Sequence, residues 1–410
     1  MAATFLAALD VGTSTVQTII ARRERGEQLF RIAGVGVAPS TGVRRGVIVD
    51  LADAMSSIRQ SVEEARHAAG VPIRSVWVAL GGVHATIASS RGVVAVSRAD
   101  QEISFEDVRR AIAAAETFIP RNPNREVLHM IPREFRVDQE GGIRDPVGMH
   151  GVRLETDTLV IQCGTSFLKN LFKCIEGVGL RVEDYVFAPL AAAEAVLTKR
   201  QKELGVMLLD IGGGTASFIV FEEGMPMHAG VIPIGGHHIT NDVAIGFKTH
   251  VDAAEEIKRT YGSCLPEMFA KRDQIQLAEF IPDHMGAYSR RELAEIIRAR
   301  LSDVFELVGK ELKRIGRNRL LPAGVVVIGG SSMIPGLVEL AREELGLPVE
   351  RGIPRVFDAV DDKTVPSFAV ALGTLQWAHA RMREPASIWE HHLGRMRQSK
   401  FARWLKSLLP

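Results

Sequence analysis

Two short segments carry the residue types that hold phosphate. Asp10-Val11-Gly12-Thr13-Ser14-Thr15 and Asp210-Ile211-Gly212-Gly213-Gly214-Thr215 lie 200 residues apart, and each places glycine and small hydroxyls just after an aspartate that closes an apolar run. Backbone N–H groups in a tight turn are good phosphate donors, and glycine lets them come close. Thr13, Ser14, Thr15 and Thr215 add hydroxyl donors without bulk. An aspartate beside phosphate repels it unless a cation intervenes. Asp10 and Asp210 therefore read as holding Mg²⁺ through its waters. A third segment, Ile328-Gly329-Gly330-Ser331-Ser332, follows an apolar run and suits the flank of an adenosine. Taken singly, each is no more than a hairpin or strand-end turn. Together, in this order and with an internal repeat, they point to a nucleoside triphosphate and its metal.

The elements that must position these turns are legible in outline. Phe5 to Asp10 and Val16 to Ala21 read as two strands joined by a tight polar turn, which is a hairpin. The second turn repeats the arrangement, with Ile219 and Val220 where the first has Ile19 and Ile20, so one copy per lobe is expected. Helical spacing runs over Leu51 to Ala69, Phe105 to Thr117, Phe167 to Gly177, Asp184 to Lys199, Arg290 to Arg314, Pro335 to Leu345 and Ala369 to Met382. Strands are expected at Ser75 to Leu80, Leu159 to Cys163 and Gly324 to Gly330. Residues from about Thr86 to Leu159 differ in texture and read as an inserted subdomain, and Val251 to Arg319 reads as mostly helical.

Composition narrows the class. A chain of 410 residues exceeds one simple core. A net charge of +1 argues against non-specific nucleic-acid binding. Cys163, Cys174 and Cys264 form no CxxC pair, which suits reduced thiols rather than a disulfide or zinc framework. The opening residues lack a basic, apolar leader, and no run approaches the ~18 apolar residues of a spanning helix.

The three turns resemble the phosphate and adenosine motifs of the sugar kinase, Hsp70 and actin superfamily. Pro189 with its following alanines and Ala369 to Leu375 resemble the two connecting helices of that superfamily. Within it, the chain resembles the FtsA family. That likeness rests on Arg45-Gly46-Val47-Ile48-Val49-Asp50, on Ile143-Arg144-Asp145-Pro146-Val147-Gly148-Met149 with Arg153-Leu154-Glu155, and on Ile234-Gly235-Gly236 with Ile239-Thr240-Asn241-Asp242. The resemblance implies an α/β, two-lobed ATPase fold of duplicated RNase H-like domains. Its expected divisions are 1–85 and 160–200 for the first lobe, 86–159 for the insertion, 201–245 and 320–383 for the second lobe, and 246–319 for a small helical subdomain. A linker over 384–398 and an amphipathic helix over 399–410 follow. It also implies that Glu255 and Lys258 face the ribose and adenine beside Gly329, Gly330 and Ser331, where composition alone gives a solvated helix face.

One departure bears on activity. Some ATPase relatives carry a Glu or Gln that positions water on the helix after the Leu159 to Cys163 strand. The corresponding stretch here is Ser166-Phe167-Leu168-Lys169, which offers no good general base although Gln162 is nearby, and Ala188 stands where many relatives have glutamate. The expectation is ATP binding with at most slow hydrolysis.

The last residues suggest a membrane surface. With Ser399 as N-cap, Phe401, Trp404, Leu405, Leu408 and Leu409 fall on one arc of a helix, and Lys400, Arg403 and Lys406 on the other. A large apolar side chain contributes roughly 1.5–3 kcal/mol when fully buried, and a basic residue about 1 kcal/mol near anionic lipid. Ordering the helix costs of order 1 kcal/mol per residue. One copy is therefore a weak anchor, and a polymer supplies many. FtsA-like proteins end in such a helix and tether the tubulin-like protein FtsZ, so the resemblance implies self-association, FtsZ and other division proteins as partners, anionic lipid, and a peripheral place on the cytoplasmic face at the septum. The basic helix Arg290 to Arg300 is the candidate FtsZ surface, with Arg290 and Arg300 at its ends. The rivals are a PilM-type pilus scaffold, which shares the fold and insertion, and an active kinase or chaperone ATPase.

Overall fold

The duplication read from the two turns is present in the backbone. A computed structural model describes residues 4–24, 30–119, 122–270, 272–280, 286–355 and 366–383. The linker and terminal helix expected over 384–410 lie outside the described residues.

Each lobe is built on a five-stranded sheet of the same topology. In the first, the order is Arg181–Phe187, Ser75–Leu80, Thr4–Val11, Thr15–Arg23 and Arg31–Pro39. In the second it is Val349–Arg351, Val325–Ile328, Val206–Ile211, Ala216–Glu222 and Met225–Ile232. Both have an antiparallel meander on one side and parallel strands on the other. The hairpin registers match at the 200-residue offset, with Asp10 opposite Gln17 and Asp210 opposite Ser217. The central strands are buried at Leu6 to Leu9 in the first lobe and along nearly all of Val206–Ile211 in the second, as strands covered on both faces must be.

Two helices join the lobes. Ala188–Val196 packs between the sheets and Ala369–Arg383 packs on it and on the first sheet, and one continuous core runs from Leu9 and Ile19 through Ala191 to Leu208 and Ile328. The helices approach so closely that a methyl group at Gly373 would lie 1.9 Å from Ala191 O. A second core lies on the outer face of the second lobe, between its sheet and the long helix Arg290–Arg314.

The insertion has its own four-stranded sheet, ordered Thr86–Ala95, Arg153–Gly164, Arg125–Val137 and Glu140–Ile143. Helix Phe105–Thr117 covers it over a separate small core, fixed at its start by a Ser104–Asp107 capping box. His129 accepts from Phe187 N of the first lobe at 3.0 Å, while Arg133 donates to Met227 O of the second at 2.9 Å. The insertion therefore touches both lobes.

Two local expectations are corrected. The stretch read as a helix from Asp184 to Lys199 begins instead as the strand Arg181–Phe187, where Val186 and Phe187 complete the buried parallel sheet. The helix starts at Ala188, with Pro189 in its first turn where no N–H is needed, and a second helix, Lys199–Leu204, follows a Thr198 cap. The short strand expected at Leu159 to Cys163 is the end of a longer one, Arg153–Gly164. Among the described residues of Val251 to Arg319, helices Val251–Tyr261 and Arg290–Arg314 make up most of the chain, as expected, with short 3₁₀ turns and a two-stranded ribbon between them. All three cysteines are buried, and none is bridged in a disulfide.

Candidate nucleotide site

The two turns have the same local build. Gly12 N donates to Thr15 O at 3.0 Å, and Gly212 N donates to Thr215 O at 3.0 Å. Each bond closes its hairpin and leaves the backbone between available for a ligand. Asp10 and Asp210 stand at equivalent points, one residue before the strand ends, and both are largely removed from water.

The turns face each other across the lobes. A methyl group at Gly213 would lie 1.9 Å from Ser14 Oγ, and one at Gly214 would lie 2.7 Å from Thr13 Oγ1 and 2.8 Å from Arg45 Cα. Thr13 Oγ1 accepts from Gly46 N at 3.0 Å, which ties the first turn to the Arg45-Gly46 loop. Hydroxyls and bare backbone thus meet at one point, as phosphate oxygens require.

Burial and the Asp210 charge push Asp10 up to about 7, and burial pushes Asp210 up to about 6. Two carboxylates brought together away from water favour protonation unless a cation compensates them. Hydrated Mg²⁺ fits this pair, since it keeps several waters and takes one or two carboxylates together with phosphate. Among the described residues no cluster of three or more His, Cys, Asp or Glu offers a cage made of protein alone.

The third motif lies against the second turn. Gly329 has φ +86°, a conformation that favours glycine, and a methyl group there would meet Asp210 Oδ1 at 2.4 Å. Ser331 points toward Gly236, where a methyl group would lie 2.8 Å from Ser331 Oγ and 3.8 Å from Lys258 Nζ. Lys258 Nζ donates to Glu255 Oε2 at 2.6 Å, Thr240 Oγ1 at 2.8 Å and Gly236 O at 3.2 Å. Thr240 Oγ1 also donates to Glu255 Oε2. Although burial opposes it, the Lys258 ammonium with the Thr240 hydroxyl keeps Glu255 below its usual range. Glu255, Lys258, Gly329 and Ser331 therefore gather on one side of the second turn, and Gly330, between Gly329 and Ser331, is exposed.

Arg290 and Arg300 lie elsewhere, on the long outer helix. Arg300 donates to both Asp242 oxygens, at 2.6 and 3.0 Å, and the Arg290 guanidinium sits 4.5 Å from the Phe269 ring centroid and 5.5 Å from that of Tyr261. Both are engaged within the second lobe. Lys400, Phe401, Arg403, Trp404, Leu405, Lys406, Leu408 and Leu409 lie outside the described residues.

Sequence reasoning missed the segment Gly235–His238 as part of the site. Gly236 N donates to Gly212 O at 2.9 Å and His237 N to Gly213 O at 2.8 Å, so this segment underlies the second turn. A paired glycine between an apolar strand and a helix was the available signal.

Comparisons with known proteins agree with this architecture. The family profile described as cell division protein FtsA matches residues 207–373, and one described as the SHS2 domain inserted in FtsA matches residues 82–162. Cell division protein FtsA of Pseudomonas aeruginosa is 37% identical over 90% of this chain and 88% of its own length. The Neisseria meningitidis protein of the same name is 34% identical over 98% of each. Among solved structures, a PilM-PilN type IV pilus biogenesis complex aligns at TM-score 0.67 and 20% identity, over 93% of this chain and 99% of that one. MreB 5 of Spiroplasma citri bound to AMPPNP aligns at TM-score 0.53 and 13% identity, over 92% and 97%. These two show the fold alone.

Proposed function

The chain belongs to the FtsA family of cell-division proteins and has an actin-like fold with the inserted subdomain of that family, and from that premise we propose that it binds ATP with Mg²⁺ in its cleft, polymerises, and tethers FtsZ filaments to the membrane. The observation that carries the nucleotide reading is the facing pair of turns with Asp10 and Asp210 beside them. Gly12, Thr13, Ser14, Thr15 and Gly212 to Thr215 would surround the phosphates, and Asp10 and Asp210 would hold the metal's waters. Bound Mg²⁺ neutralises phosphate charge and fixes the phosphate geometry. Glu255, Lys258, Gly329, Gly330 and Ser331 would take the nucleoside.

Hydrolysis is slow in this reading. Phe167 and Leu168 are buried in the core, and exposed Ser166 and Lys169 supply no general base. ATP then acts by ordering the cleft and favouring one conformation for assembly. The terminal residues 399–410 would lie on the cytoplasmic face of the membrane at the septum, with many copies linked by the polymer. No helix among the described residues is long and apolar enough to cross a membrane.

Pelleting of the full chain with anionic vesicles tests assembly. With Mg²⁺ and ATP, the account predicts ordered polymers on the vesicle surface by electron microscopy. With ADP, or with ATP in EDTA, it predicts few. Polymers that form equally in all three conditions would remove ATP from the assembly step.

A further inference from the structure

His237 has no role in the reading above, yet it stands where the two turns meet. Its Nε2 lies 3.0 Å from Ser14 Oγ on the first turn. Its backbone N–H is bonded to Gly213 O on the second. A methyl group at Gly213 would come within 3.3 Å of the same ring nitrogen. The ring therefore covers the second turn while touching the tip of the first.

Its neighbours give the site a direction. Ser331 and Lys258 lie against Gly236, the residue just before His237. A path from Ser331 and Lys258 past Gly236 to Ser14 runs beside the imidazole. An adenosine at the start of that path puts its phosphates along it and its last phosphate near Ser14.

We propose that His237 recognises the terminal phosphate of the bound triphosphate, exchanging its bond to Ser14 for a ring N–H bond to a phosphate oxygen. The inference rests on the nucleotide reading above and adds to it a residue that distinguishes ATP from ADP. Burial lowers the imidazole's affinity for a proton, Lys258 and His238 act in the same sense, and Glu255 opposes them. A neutral ring keeps one N–H donor. It selects by a directed hydrogen bond, which suits discrimination between ligands that differ by one phosphate.

Calorimetric titration of the full chain, His237→Ala and His237→Gln with Mg·ATP and Mg·ADP tests the assignment. A hydrogen bond to a charged oxygen predicts a loss of roughly tenfold in ATP affinity for H237A, with ADP affinity changed by less than about twofold. Glutamine offers an N–H at similar reach and should restore most of the difference. Melting temperatures accompany each variant. If H237A melts well below the parent, His237→Asn, polar but shorter, takes its place in the comparison. A ring that only clasps the lobes would move ATP and ADP affinities together, and that result overturns the proposal. Unchanged ATP affinity in H237A overturns it too, while the nucleotide reading stands. A parent chain that binds neither nucleotide overturns that reading, and the role of His237 with it.

Discussion

Asp210→Asn should lower the affinity for Mg·ATP at least about 100-fold and raise the melting temperature of the metal-free protein. The two effects have one cause. Asp10 and Asp210 are held together with little water, so Asp10 rises to about 7 and Asp210 to about 6. Removing one charge relieves the metal-free protein but takes away half of the carboxylate pair that suits the cation. A hundredfold loss is about 2.7 kcal/mol, within the range for losing a charged hydrogen-bond partner. The pH dependence follows from the same shift. Between about 4 and about 7, folded Asp10 retains a proton that the unfolded chain has released. Metal-free stability therefore falls as pH rises through that window, and Mg²⁺ affinity rises because the metal needs the carboxylate. Calorimetry with and without Mg²⁺, beside thermal melts in EDTA, reads both effects. A variant that loses metal-free stability yet binds Mg·ATP normally would make Asp210 a structural residue only.

Gly373→Val should destabilise the chain by about 3 kcal/mol or more. Gly373 lies in the helix Ala369–Arg383, where alanine would normally be favoured by about 1 kcal/mol. Packing reverses that preference. A first side-chain carbon would sit 1.9 Å from Ala191 O, 2.4 Å from its carbonyl carbon and 2.9 Å from Ala192 N. All three are backbone atoms of the other connecting helix, which is buried along nearly its whole length. The helices must separate, and the core they share with both lobes opens with them. Urea unfolding measures the loss. An unchanged midpoint and slope would mean that the helices do not cross at this glycine.

What could be read from the sequence follows from where each constraint is stored. The glycine turns are local: residue type, spacing and flanking apolar runs determine them, and the repeat carries through to matched strand registers. The helices Leu51–Ala69, Phe105–Thr117 and Arg290–Arg314 likewise follow from local periodicity. The strand Arg181–Phe187 was hidden because its strand character comes from pairing with Ser75–Leu80, about a hundred residues earlier. Its Asp184 and Tyr185 fit a helix as well as a strand edge. His237 was hidden for a similar reason. Its meaning is its contact with Ser14, 223 residues away, and nothing beside it in the chain announces that partner. Arg300 is a like case, since a basic helix face is legible in the sequence but its bond to Asp242, 58 residues earlier, is not.

Co-sedimentation of FtsZ with anionic vesicles, Mg²⁺ and ATP tests the central claim most directly. The full chain is compared with one ending at Gln398. The account predicts that the full chain carries FtsZ down with the vesicles and that the shortened chain leaves both proteins in solution. FtsZ that stays in solution while the full chain pellets would contradict the tether, and a full chain that never pellets with lipid would contradict its membrane attachment.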